Sequence, residues 1–220
     1  MRRNIPLITG EYYHVFNKSI FSYIIFNNQT EYQRMLQLIH YYRFDNTSTS
    51  FSRFTLNYQS KQIDFFQGLK VYKISTNKPL VRIVSYCLMP THIHFLLQQL
   101  QDSGIQIFLQ NIQNGYAQFF NHRHNRRGPL WQNRFKNTHI DQDVGLLRTS
   151  LYIHANPVKS LLTDSACQWD YSSYNEYLNE NPSNSFCECP KFMNIQPAAY
   201  EHLMAYYLQS TSTPPGSITA

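Results

Sequence analysis

The sequence predicts an α+β fold built on an antiparallel sheet. Three patterns carry this reading: β-rich alternating stretches near the start and at residues 81–98, a proline-broken hairpin inside the second, and separate segments with helically spaced apolar residues. Tyr12 to Ile25, rich in Tyr, Val, Phe and Ile, holds one or two strands. Glu31 to Tyr42 then turns helical, with Tyr32, Met35, Leu36 and Ile39 along one face. Asp45 to Ser52 is a Ser/Thr/Asn-rich loop, and Phe54 to Ile74 is ambiguous, with a short helix around Lys61 to Leu69. Val81 to Met89 is β-branched and aromatic, Pro90-Thr91 breaks it, and His92 to Gln98 resumes an apolar pattern, which makes a tight hairpin. A second helix follows on Ile105, Phe108, Ile112, Tyr116 and Phe119, ending near Asn121. Gly128-Pro129 marks a turn before a short segment, Arg134 to Ile140. A further amphipathic helix has Val144, Leu147, Leu151 and Ala155 as its core face and stops at Pro157, because the residue before proline resists the α conformation.

Composition narrows the function. The chain has 220 residues, 42% hydrophobic and 15% aromatic, enough apolar material for a sizeable core and too much for general disorder. No apolar run approaches the ~18 to 20 residues that span a bilayer. Met1-Arg2-Arg3-Asn4 has no apolar stretch of the signal-peptide kind behind it, since Glu11 and His14 interrupt the first candidate. Four cysteines, Cys87, Cys167, Cys187 and Cys189, are too few and too irregular for a disulfide framework, and a reducing, cytoplasmic setting is expected.

The formal charge of +6 is unevenly spread. Residues 1–160 carry 18 Lys+Arg against 7 Asp+Glu, whereas residues 161–220 carry one Lys against six Asp+Glu, so a polyanion would meet the first part. Arg123, Arg126, Arg127, Arg134 and Lys136 are interleaved with Trp131 and Phe135. Cations that follow phosphates, mixed with rings on which bases stack, make a single-strand nucleic-acid groove; a solvated basic surface has the same composition.

His92-Ile93-His94 carries the chemistry. On a strand, alternation sends both imidazoles to one face while Ile93 and Phe95 enter the core. Such a pair can ligate a divalent ion with a further ligand from elsewhere, or be two metal-free surface histidines. On the helix ending at Pro157, Arg148, Tyr152 and Asn156 recur every four residues as a polar stripe beside the apolar face. That stripe can offer a guanidinium, a phenol and an amide to whatever the histidines hold; the alternative is a Tyr packed by its ring with its hydroxyl in water.

The run Tyr86-Cys87-Leu88-Met89-Pro90-Thr91-His92-Ile93-His94-Phe95-Leu96-Leu97, then Gly128-Pro129-Leu130-Trp131-Gln132-Asn133-Arg134-Phe135-Lys136, then Tyr152-Ile153-His154-Ala155-Asn156-Pro157-Val158-Lys159, closely resembles the REP-associated tyrosine transposases of the HUH single-tyrosine superfamily. The resemblance covers roughly residues 11–178, from Tyr13-His14-Val15-Phe16-Asn17-Lys18 to Trp169-Asp170-Tyr171-Ser172-Ser173-Tyr174. It implies a ferredoxin-like (RRM-like) antiparallel sheet with the histidine pair on a central strand and the tyrosine on a packed helix. Residues 1–160 would be the catalytic domain, 161–209 an acidic extension packed on or near the core, and 210–220 a flexible tail.

The resemblance further implies that Tyr152 is the nucleophile and that His92, His94 and Asn156 ligate a divalent ion, Mg²⁺ or Mn²⁺. Lys18, Arg123, Arg126, Arg127, Trp131, Arg134, Lys136 and Arg148 would contact DNA, with Arg148 or a Lys favouring the phenolate. The implied activity is cleavage and rejoining of single-stranded DNA at hairpin-bearing, REP-like sites through a 5′-phosphotyrosine, by a monomer or homodimer. The alternative is a domesticated, catalytically silent hairpin binder. Two departures from the family pattern, Lys18 where Arg is more frequent and Thr91 where Asn is frequent, are expected to leave the chemistry untouched. The acidic extension is expected to shield the DNA face by charge attraction.

Overall fold

The computed structural model describes residues 7–45, 49–132, 134–141, 143–179, 187–188 and 195–212. Its strands are β1 (Tyr12–Lys18), β2 (Val81–Met89), β3 (His92–Gln99) and β4 (Lys136–Ile140). Its helices are α1 (Gln29–Tyr42), α2 (Phe51–Ser60), α3 (Phe65–Val71), α4 (Gly104–Arg123), α5 (Asp143–Lys159), α6 (Tyr174–Leu178) and α7 (Pro197–Ser212). The strands form one sheet in the order β2-β3-β1-β4, every neighbouring pair antiparallel. With α1 between β1 and β2 and α4 between β3 and β4, this is the ferredoxin-like arrangement, with the His92–His94 strand in the interior of the sheet.

Period-2 alternation divides the sheet between two cores. Tyr13 and Val15 of β1 and Ile93, Phe95 and Leu97 of β3 face α1 and α4, where Met35, Leu38, Ile39, Phe108, Ile112 and Tyr116 close the first core. Val84, Cys87, Met89 and Leu96 face the other way, onto α5, α6 and α7. At about 1.5–3 kcal/mol per fully buried large apolar side chain, both faces contribute to stability, and the strand positions left over for chemistry are few.

Local signals explain most boundaries. Asn28 caps α1 by accepting from the Glu31 amide. Glu31 is itself fully buried, accepts from the Asn27 backbone and side chain, and lies 2.7 Å from His124 just beyond α4, which ties the two helices together. The Pro90-Thr91 turn is braced from outside: Ile25 and Phe26 donate to the Pro90 carbonyl, and Ser19 donates to that of Thr91.

One sequence expectation is narrowed and three are corrected, one of them in part. The 12–25 stretch holds a single strand, ending at Lys18 and followed by a tight turn. The helix expected at 61–69 is two helices broken at Lys61 to Asp64, where Gln62 has φ of 56° and Asp64 with Gln67 forms a capping box that starts α3. The core face of α5 is wider than expected and lacks one of its members: Leu151 and Ala155 are buried and Leu147 packs on the core as expected, but Val144 is 68% exposed, while Leu146, Ser150, Ile153 and His154 are also buried. The reason is that α5 is covered on two sides, by the sheet and by α7, so a second, partly polar stripe is enclosed. Finally, α5 does not stop before Pro157 but runs through it to Lys159.

Residues 163–179 line the outer edge of the sheet. Leu88 donates to the Tyr171 carbonyl, Ser173 donates to that of Tyr86, and the Trp169 indole donates to that of Leu88. An otherwise open strand edge is thereby covered. The hydrogen bonds that tie the described part of residues 163–212 to the rest of the fold run to β2 and α5. No helix among the described residues is long and apolar enough to cross a membrane.

Candidate active site

The two interior strands present one row of polar and aromatic side chains toward α5. His14, Phe16 and Lys18 alternate along β1, and His92 and His94 along β3, in a register that pairs Phe16 with His94 and Lys18 with His92. Val15, Ile93 and Phe95 point to the other side and are fully buried, as alternation requires. Across from this row stands Tyr152, 38% exposed, with its ring edge-on to His14 (centroids 5.6 Å apart) and to His94 (5.9 Å). Residues from three distant parts of the chain therefore meet in one place.

The imidazoles are neutral and oriented. Burial pushes the pKa of His14 down to about 4. His92 is also pushed down to about 4, by burial and by the Lys18 charge, and His94 is held well below the ordinary range, by burial first and then by the proximity of His14, His92 and Lys18. His92 Nδ1 lies 2.9 Å from Thr91 Oγ1, and His94 Nδ1 lies 3.1 Å from His14 Nε2. Both Nδ1 atoms are engaged, which leaves both Nε2 atoms as possible ligands, and neutral imidazole nitrogens suit a divalent cation. Thr91 and Lys18, expected to lie apart from the chemistry, both touch it: one bonds His92 and the other depresses its pKa.

Among the described residues, no group of three or more His, Cys, Asp and Glu side chains is placed to hold an ion alone. A third ligand would have to be an amide or a substrate oxygen. Asn156 is one such amide, but its Nδ2 is engaged elsewhere: it donates to the Tyr152 carbonyl (2.8 Å) and to that of Ile153 (3.3 Å). The Ile153 carbonyl is the one that the missing N–H of Pro157 cannot serve, so the Asn156 amide supports the helix through its proline. Its Oδ1 is the end available to a ligand. The donor set fits a divalent ion in this limited sense: two neutral imidazoles and one amide oxygen, on a strand and the facing helix. Arg148 is exposed one turn before Tyr152, and its charge is felt by Tyr207 of α7.

The tyrosine helix is anchored by a directed chain of hydrogen bonds. The Tyr86 amide donates to Ser173 Oγ (2.9 Å), which lies 2.7 Å from His154 Nε2; His154 Nδ1 lies 2.7 Å from the Tyr200 hydroxyl, which donates to Ser150 Oγ, and that hydroxyl donates to the Leu147 carbonyl. Only the neutral Nδ1–H form of His154 lets every member donate and accept in turn. Burial agrees, pushing its pKa down to about 3. From sequence His154 reads as solvated or phosphate-facing; the structure makes it a fully buried clasp between β2, α5 and α7.

The cations expected on DNA divide. Lys18 and Lys136 are exposed and line, with Phe16, Asn17 and Gln132, a small cleft beside the histidines; Lys136 lies 5.9 Å from the Phe16 ring centre. Arg123, Arg127 and Arg134 are exposed, Arg123 at 3.7 Å from Glu31. Arg126 braces its own loop, donating to Asn121 Oδ1 and to the Pro129 carbonyl. Trp131 is a correction: it is 8% exposed, its indole donates to the Gln113 carbonyl and its ring packs on Tyr116, so its faces belong to the core rather than to a base. Of the four cysteines, Cys87 and Cys187 are buried, Cys167 is exposed and Cys189 lies outside the described residues.

Sequence reasoning missed His14 and Phe16 as members of the site. The signal was present: alternation along Tyr12–Lys18 puts both on the face of Lys18.

Comparison with known proteins follows the same lines. The model for the family described as Transposase IS200 like matches residues 66–156, a span that contains His92, His94, Tyr152 and Asn156. Over that span the chain is similar to the IS200-like transposases. The chain is also 29% identical over 130 residues, 54% of its own length and 73% of the relative's, to a Haemophilus influenzae protein named as a putative REP-associated tyrosine transposase. A solved REP-associated tyrosine transposase, determined bound to a REP hairpin, superposes with a TM-score of 0.54 at 14% identity, covering 86% of this chain and 97% of that one. At that identity the likeness is one of fold.

Proposed function

We propose that this chain is an IS200-like transposase: a metal-dependent single-strand DNA endonuclease and strand transferase acting at hairpin-bearing, REP-like sites. One observation carries the reading: Tyr152 stands edge-on to His94 and His14 across the sheet face, although 58 residues separate it from His94 in the sequence. The contact is made within one chain, so a monomer would suffice without exchange of α5 between copies. The family match, and the REP hairpin to which the solved relative is bound, supply the substrate class.

In this reading His92 Nε2, His94 Nε2 and Asn156 Oδ1 hold Mg²⁺ or Mn²⁺. The ion would supply Lewis-acid polarisation of the scissile phosphate and compensate charge on the departing oxygen. Tyr152 Oη gives up its proton and forms a bond to phosphorus, the bond from phosphorus to the 3′ oxygen breaks, and that oxygen takes up a proton and leaves as a 3′-hydroxyl while the 5′-phosphate stays on the tyrosine. The reverse attack by a 3′-hydroxyl rejoins DNA, and the bond energy stored in the phosphotyrosine makes ATP unnecessary. Lys18 and Lys136 steady the phosphates on either side of Phe16.

A catalytically silent hairpin binder is the second reading. It is favoured by the engagement of the Asn156 amide with its own helix and by the missing third His, Cys, Asp or Glu ligand among the described residues. A labelled single-stranded hairpin substrate separates the two. With Mn²⁺ the wild type should form a covalent adduct; Tyr152→Phe should form none while binding the hairpin as before. A wild type that binds the hairpin but never yields an adduct would establish the silent reading.

A further inference from the structure

His14 touches Phe16, His94 and Tyr152, yet has no assigned task. It reaches diagonally across the β1–β3 pair, from the position opposite Leu96, to place Nε2 3.1 Å from Nδ1 of His94. The two rings are close to parallel, 14° apart with centroids 5.3 Å apart, and Phe16 and Tyr152 hold His14 on further sides. It is not a third ligand, because the nitrogen that faces the site is the one bonded to His94.

Two neutral imidazoles sharing a hydrogen bond have one proton between them, so two arrangements exist. If the proton sits on His14 Nε2, His94 carries its own proton on Nε2 and offers no lone pair there. If the proton sits on His94 Nδ1, His14 accepts it and the Nε2 lone pair of His94 is presented. On the ligand assignment proposed above, only the second arrangement is productive.

We infer that His14 is a positioning residue: it accepts the Nδ1–H of His94 and thereby sets the His94 tautomer that presents Nε2 to the ion. Thr91 Oγ1 plays the corresponding part for His92 from within the hairpin turn. The arrangement also makes His94 a better donor, because a neighbour that accepts the far N–H raises ligand basicity, an effect for which loss of the partner weakens metal binding about 10- to 100-fold.

The test uses full-length protein and Mn²⁺ itself, followed by the paramagnetic signal of the free ion. His14→Gln keeps an acceptor near the Nε2 position and should bind Mn²⁺ within a few-fold of wild type. His14→Phe keeps the ring packing but cannot accept, and should bind about 10- to 100-fold more weakly. Equal affinity of the Phe variant and the wild type would overturn the inference. Nitrogen-15 spectra of histidine-labelled, ion-free wild type give a second readout that depends on neither metal nor turnover: His94 protonated on Nδ1 is expected, and His94 protonated on Nε2 would overturn the inference even if all variants fold poorly. If the wild type binds no Mn²⁺, the ligand assignment fails by itself, and the tautomer measurement still decides whether His14 is the acceptor.

Discussion

Tyr200→Phe is a perturbation whose size the structure sets. The hydroxyl it removes is wholly internal: it accepts from His154 Nδ1 at 2.7 Å and donates to Ser150 Oγ at 3.2 Å, and Tyr200, His154 and Ser150 are all fully buried. The ring remains, so no cavity worth the name opens, and the cost is that of polar groups left without partners. Ser150 keeps its bond to the Leu147 carbonyl, but His154 Nδ1–H is orphaned, which costs about 1–3 kcal/mol. For a chain of this length about 2 kcal/mol corresponds to a fall in Tm of about 4–8 °C. Urea unfolding of both proteins measures the difference, with an unchanged m-value expected because the surface exposed on unfolding is the same. Ser173→Ala strikes the opposite end of the same chain of bonds, so the double variant should lose less than the two single losses added together. A Tyr200→Phe protein within about 0.5 kcal/mol of wild type, or strict additivity with Ser173→Ala, would refute the clasp.

Acid should weaken the fold through His40, whose pKa burial pushes down to about 3, with the Arg43 charge adding to it. The unfolded chain takes up that proton near the ordinary histidine value and the folded chain does not. Stability therefore falls as pH drops from about 6.5, by about 3 kcal/mol at about pH 4.5, and His40→Leu should flatten that slope in pH-dependent urea unfolding. Replacing Lys18 and Lys136 together by Ala should lower the slope of log affinity against log salt by about 1.4 for a single-stranded ligand; an unchanged slope would take both lysines off the phosphates.

Legibility followed the range of the interactions. The β2–β3 hairpin was readable because its signals are adjacent: a β-rich run, a proline, and a second run of period two. The helices α1 and α4 were readable from one-sided apolar spacing. Helix α5 was legible only in part: Leu151 and Ala155 are buried as its spacing predicts, but the helix is covered on two sides, so that Ser150 and His154, polar in sequence, are core positions through partners 19 to 50 residues away. The break between α2 and α3 was local and visible in Asp64-x-x-Gln67, a capping signal that composition obscured.

By itself, the order of residues determined which side chains share a strand face or a helix stripe: His92 with His94, His14 with Phe16 and Lys18, Arg148 with Tyr152 and Asn156. These follow from backbone geometry alone, which repeats every 2 or about 3.6 residues regardless of what lies across from it. Only the tertiary structure decided that β1 pairs with β3 in the register that sets His14 against His94, that Tyr152 closes over both, and that Trp131 turns inward while Lys18 and Lys136 remain in solvent. Register and packing are settled by how two hydrophobic faces fill space together, and no single segment contains that information.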